Sequence, residues 1–176
     1  MTIRVEMKLQ GAEQLLSALR RLPPEVVSKR GGPVKLALAK GARFMRDKAK
    51  ENLRASIARN GDVSTGLLEK SVIASRGKAP IGGKGERYLV RVKRKAYDAE
   101  KLTKRDTRGN PKARKRVTTL QTANLLEYGS VHQPATPWLR PAVSSHGQAT
   151  INLVTTDLGK RIEREFAKLA NAGGGA

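Results

Sequence analysis

Two long apolar stripes at helical spacing constrain this chain most. Leu38, Ala42, Met45, Ala49, Leu53 and Ile57 recur every three or four residues. That period puts them on one side of a helix running from about Pro33 to residue 58. Pro33 follows Gly31-Gly32 and suits a helix's first turn. Ile151, Val154, Leu158, Ile162, Phe166 and Leu169 repeat the pattern. They predict a last helix that takes Pro141 in its first turn and ends near residue 170. Neither stripe stays in water, because an amphipathic helix gains most of its stability by packing that face.

The remaining elements are shorter. Residues 2 to 9 alternate Ile3, Val5, Met7 and Leu9 with polar residues, which reads as a half-buried strand rather than a signal peptide. Leu15, Leu16, Leu19 and Leu22 predict a helix that Pro23-Pro24 stops. Asn60-Gly61 marks a turn, and Ser64 or Thr65 is placed to terminate or cap a short element. Leu67 to Ala74 reads as a short helix leading into a strand. Residues 76 to 86 hold five Gly or Pro and read as a loop. Tyr88, Val90 and Val92 alternate with Leu89, Arg91 and Lys93, predicting a strand. Val117 to Tyr128 fits a strand or a short helix. The expected fold class is α+β: a small antiparallel sheet packed by two or three helices. One domain is expected over residues 1–172, with a flexible tail at 173–176.

Charge sets the second constraint. The chain carries 36 Lys and Arg against 15 Asp and Glu, a formal net charge of +21. Residues 93–116 concentrate it, with eleven Lys and Arg against three Asp and Glu, a net of +8. Gly109-Asn110-Pro111 marks a turn within that span. So few apolar residues cannot bury themselves, and the span is expected to project as a basic hairpin or loop arm. Lys93, Arg94, Lys95, Lys104, Arg105, Arg108, Lys112, Arg114, Lys115 and Arg116 are its candidate contacts to DNA or to an acidic partner. The basic face of the first long helix (Lys35, Lys40, Arg43, Arg46, Lys50, Arg54) reads more simply as solvated.

Several classes of chemistry lack their residues. There is no Cys, which removes thiolate metal sites and thiol nucleophiles and suits a reducing cytoplasm. His132 and His146 are too few and too far apart to propose a metal site. "GGKGERY" lacks the spacing of a phosphate loop. Glu127 has no nearby second acid for hydrolysis, and Ser130 with His132 makes no triad. No enzyme activity, metal or cofactor is expected. No apolar run reaches membrane-spanning length, and no membrane partner is expected.

The densest motif is "LLEYGSVHQPATPWLRPA", residues 125–142, which holds the only Trp and three prolines. Pro134, Pro137 and Pro141 restrict the backbone toward extended geometry, and Gly129 permits a sharp turn. Trp138 is an anchor for a pocket in its own core or in a neighbouring subunit. Glu127 is placed to pair with an Arg of its own or an adjacent subunit.

Three stretches together resemble one family. Thr65-Gly66-Leu67-Leu68-Glu69-Lys70-Ser71-Val72 is similar to a "TGxLxxSI" element. Leu126-Glu127-Tyr128-Gly129-Ser130 is similar to "vEfGt". Gln133 to Ala142, with Pro134, Ala135, Pro137, Trp138 and Pro141, is similar to "qpAxPFlrPA". These elements, in this order, resemble the HK-97-type gene-product-ten-like group of tailed-phage proteins. Trp138 stands where the family usually has Phe, and the basic arm is longer than the family pattern. The resemblance implies a structural virion protein at the head–tail junction, or neck, of a long-tailed phage. Its implied partners are copies of itself in a ring of six, a head connector or stopper, and a tail terminator or tail tube, with DNA in the channel. The charge alone suits a second reading, a sequence-independent nucleic-acid-binding protein of ribosomal or nucleoid type.

Overall fold

The computed structural model describes residues 32–61, 64–78, 86–97 and 117–173. The strand expected at 2–9, the helix at 15–22, most of the basic arm and the tail beyond 173 lie outside the described residues. The described chain is α+β and mostly helical. Helix α1 spans Pro33–Arg59, α2 spans Leu67–Ser71, β1 spans Val72–Arg76, β2 spans Tyr88–Val92, α3 spans Thr119–Tyr128 and α4 spans Leu139–Gly173.

The two long helices are those the stripes predict. At 1.5 Å per residue they are roughly 40 and 50 Å long. They run antiparallel: Asn52 of α1 bonds the Trp138 carbonyl at the start of α4. Farther along, Lys40 meets Asp157. The buried seam of α1 departs from the predicted stripe at its N-terminal half. Ala37 and Gly41 are buried there, and Leu38 and Ala42 flank them. The cause is close approach. A Cβ on Gly41 would collide with Val154 Cγ2 and stand 3.3 Å from Thr150 Cγ2. The helices touch where the side chain is missing. Ala37, Val154 and Leu158 form a small apolar cluster beside that contact, with Val34, Leu38 and Ile162 around it.

Strands β1 and β2 pair antiparallel with Val72 opposite Val92 and Ala74 opposite Val90. Val72, Val90 and Val92 pack into the main core with Ala49, Leu53, Leu68, Ala123, Leu126, Trp138 and Ala142. Strand alternation then sends Ile73, Ser75, Leu89 and Arg91 to the opposite face.

Val117 to Tyr128 resolves as a helix preceded by its cap. Thr118 has extended backbone, its hydroxyl accepts the Gln121 N–H at 3.4 Å, and Gln121 Oε1 accepts the Thr118 N–H at 2.9 Å. This reciprocal capping box satisfies two otherwise orphaned donors. At α2 the cap is Gly66, with φ of 70°, rather than Ser64 or Thr65. Those hydroxyls accept N–H bonds two residues on, from Gly66 and Leu67. Pro141 falls within the first turn of α4, which opens at Leu139.

Candidate functional site

The proline-rich stretch is an elbow that reverses the chain between α3 and α4. Gly129 closes α3 with φ of 74°. A Cβ there would lie 2.7 Å from Ala135 N and 2.9 Å from Gln133 O, so only glycine fits both the dihedral and the space. Ser130 and Gln133 exchange backbone hydrogen bonds across a tight turn. Val131 and His132 stand exposed at its tip. Residues 134–137 then return along α3 as extended chain. The Thr136 N–H donates to Leu126 O at 2.8 Å. From the other side, the Ser56 hydroxyl donates to Thr136 O at 2.6 Å. Asn60 Nδ2 donates to Thr136 Oγ1 at 3.2 Å.

This path delivers the first amides of α4 onto one carboxylate. Glu127 Oε2 accepts the N–H groups of Trp138 at 2.9 Å and Leu139 at 2.8 Å. Oε1 accepts the Arg140 N–H at 3.1 Å and Arg140 Nε at 2.9 Å. Arg140 Nη2 also donates to the Glu127 carbonyl at 2.7 Å. Glu127 is fully buried, and its partner guanidinium is half-exposed. The last residues of one helix thus cap the next. The carboxylate meets donors that α4 itself cannot satisfy, at the positive end of its dipole. Burial pushes the carboxyl's pKa up. The N–H groups of Leu139 and Trp138, the Arg140 guanidinium and the Arg140 N–H outweigh that and hold it below the usual carboxylate value.

Trp138 fills the core of its own chain. Its side chain is 1% exposed, and Nε1–H donates to Ala123 O at 3.3 Å. It is therefore not a surface anchor for a neighbour. The Glu127 partner is Arg140 of the same chain. Tyr128, half-exposed, lies under the Arg140 guanidinium at 4.9 Å. Leu68 and Val72, from the Thr65-Gly66-Leu67 stretch, join Leu126 and Trp138 in the main core. The three stretches singled out in sequence thus converge on one locus. Thr65, Pro134, Ala135 and Pro141 remain exposed at its rim.

Among the candidate cations, Lys93, Arg94 and Lys95 are described, and all three are exposed. Lys104, Arg105, Arg108, Lys112, Arg114, Lys115 and Arg116 lie outside the described residues. The residues flanking that span are tied together. Ala96 bridges Thr118, and the Tyr97 N–H donates to Val117 O at 3.1 Å. Thr119, fully buried, holds the same junction: its hydroxyl donates to Lys93 O at 2.8 Å and accepts the Lys95 N–H at 3.0 Å. Tyr97 and Val117, the described residues on either side of 98–116, thus lie side by side. Sequence reasoning missed Thr119 and the capping box, although Thr118-x-x-Gln121 was legible as a helix start.

Among the described residues no group of three or more His, Asp or Glu could hold a metal ion, and no helix is long and apolar enough to cross a membrane. The arrangement defines an α+β protein whose most elaborate polar site joins helix to helix. The chain matches no family model, no curated protein and no solved structure.

Proposed function

We propose that this chain is a structural subunit of the head–tail junction of a long-tailed phage. In this reading copies of it, six to a ring, join the head connector to the tail terminator or tail tube and leave a channel for DNA. It works by shape and charge, without a chemical step. One observation supports the reading above the others. The three stretches that resemble the phage family lie up to 77 positions apart, from Thr65 to Ala142, yet they meet in one core around Glu127 and Trp138. Leu126, Trp138 and Ala142 come from stretches that adjoin in sequence, and Leu68 and Val72 bring the distant third stretch to them. The resemblance and the packing therefore point the same way.

The chemistry of the locus suits a fixed scaffold. Its carboxylate is saturated by helix amides and a guanidinium, which leaves it no role as a free base. Electron microscopy of a lysate from a phage lacking this gene tests the proposal. Separate DNA-filled heads and unattached tails are the expected result. Normal, joined virions would overturn it and return the charge to a nucleic-acid-binding reading.

A further inference from the structure

The face of the sheet turned away from the main core carries a row of cations. Val72, Val90 and Val92 face the core, and the register puts Arg91 opposite Ile73 on the other side. The same alternation places Arg87 and Lys93 there. Arg87 accepts the Gly77 N–H on its carbonyl at 2.8 Å, and the Lys93 N–H donates to Ser71 O at 2.7 Å, so the pairing continues past both strand ends. A Cβ on Gly77 would meet Leu89 Cδ1 at 3.1 Å and Arg87 Cδ at 3.5 Å, which puts both side chains over that glycine. Ile73, Ser75 and Leu89 form a half-buried floor, and Arg87, Arg91 and Lys93 are exposed around it.

Among the described residues no carboxylate pairs with these three. Ion pairs between described residues engage carboxylates that include Asp47, Glu51, Glu69, Glu86, Glu127 and Asp157. None of them involves Arg87, Arg91 or Lys93. The nearest acid on the strand, Glu86, has the opposite parity and is held by Arg76 at 2.7 and 2.5 Å. Acid and unpaired base are therefore sorted to opposite faces of a two-stranded sheet.

We infer that this outer sheet face binds the phosphate backbone of nucleic acid, independently of sequence. Residues two apart on a strand stand about 7 Å apart. Backbone phosphates of a duplex strand recur on a comparable scale, so neighbouring cations on this line can meet separate phosphates. Arg91 and Lys93 stand next to each other on this face, and Arg87 falls four residues before Arg91 on the same line. A floor without aromatic rings offers no base stacking, which favours a duplex backbone over splayed single strands. The inference does not rest on the junction reading. A protein that fails one can pass the other.

The test is fluorescence anisotropy of the full chain with a random-sequence duplex, titrated with salt. Arg87→Gln, Arg91→Gln and Lys93→Gln are combined in one variant. A control removes equal charge elsewhere with Lys35→Gln, Arg43→Gln and Lys160→Gln. Both are checked for an unchanged melting temperature. Three lost phosphate contacts lower the slope of log K against log salt by about 2.7, at about 0.9 per contact. The control should keep the wild-type slope. Equal losses in the two variants would overturn the assignment to this face, since net charge alone would then explain binding. Absence of wild-type binding at low salt would overturn the nucleic-acid partner and leave an acidic protein surface in its place.

Discussion

Glu127 is the residue on which the fold's geometry depends most. It closes α3, and its carboxylate receives three N–H groups and a guanidinium from the start of α4. Its two kinds of partner are unequal. The amides are fixed by the helix, whereas the guanidinium is half-exposed and screened by water. Removing the charge leaves those amides facing a weaker acceptor in a buried place. Glu127→Gln is expected to lose about 3 kcal/mol of stability, because several buried helix donors lose a charged acceptor and each unsatisfied one costs about 1–3 kcal/mol. Arg140→Gln is expected to lose about 1 kcal/mol, because the carboxylate keeps its helix donors. Urea denaturation of both variants checks the order. An Arg140 effect equal to or larger than the Glu127 effect would mean that the ion pair, not helix capping, holds the elbow.

Among the elements, the contact of α1 with α4 is where intrinsic preference and packing oppose each other most clearly. Glycine within a helix costs about 1 kcal/mol relative to alanine. At Gly41 an added methyl would collide with Val154, and overpacking of that kind costs about 1–3 kcal/mol. Packing should prevail, so Gly41→Ala is expected to lower the melting temperature. Adding Val154→Ala should return part of the loss, although that change alone empties part of the cluster of Ala37 and Leu158. A Gly41→Ala protein more stable than wild type would show that the helices separate freely. The same contact marks how far the sequence was legible. Period, with Pro33 and Pro141 as start signals, predicted both long helices and strand β2, and Leu67 to Ala74 was legible as a short helix leading into a strand. Period could not find a seam built on Ala37 and Gly41, because it follows large apolar residues and a close approach needs small ones. It left 117–128 open between strand and helix, since β-branched Val117, Thr118 and Thr119 lead into Leu120, Leu125 and Leu126. Glu127 was singled out, with an Arg partner in its own or an adjacent subunit, but its capping role was not visible. The amides it receives lie 11 to 13 residues on, and only the turn at Gly129 brings them back.

Over the whole molecule, a net charge of +21 makes the remaining carboxylates disproportionately important. Asp47, Glu69, Glu127 and Asp157 all have their pKa values held below the ordinary carboxylate range. Hydrogen bonds from Arg46, Arg54 and Lys40 lead at Asp47, Glu69 and Asp157, and at Glu127 the hydrogen bonds overcome burial. A carboxyl whose folded value is depressed contributes fully above its unfolded value, about 4.3 for Glu. That contribution is lost as pH falls from there through the folded value. The melting temperature is therefore expected to be nearly flat from pH 7 to 5 and to fall below about 4.5. Protonation acts twice: it releases the ion pairs and leaves the 36 Lys and Arg unopposed. Exposed pairs contribute little individually, so the fully buried Glu127 should carry the largest single share of this acid limb. Glu127→Gln, already less stable at neutral pH, should then lose less than wild type between pH 5 and 3. Parallel acid limbs in the two proteins would assign the sensitivity to the collective charge of the molecule, whereas a flatter limb in the variant would assign it to the one carboxylate that joins the two helices.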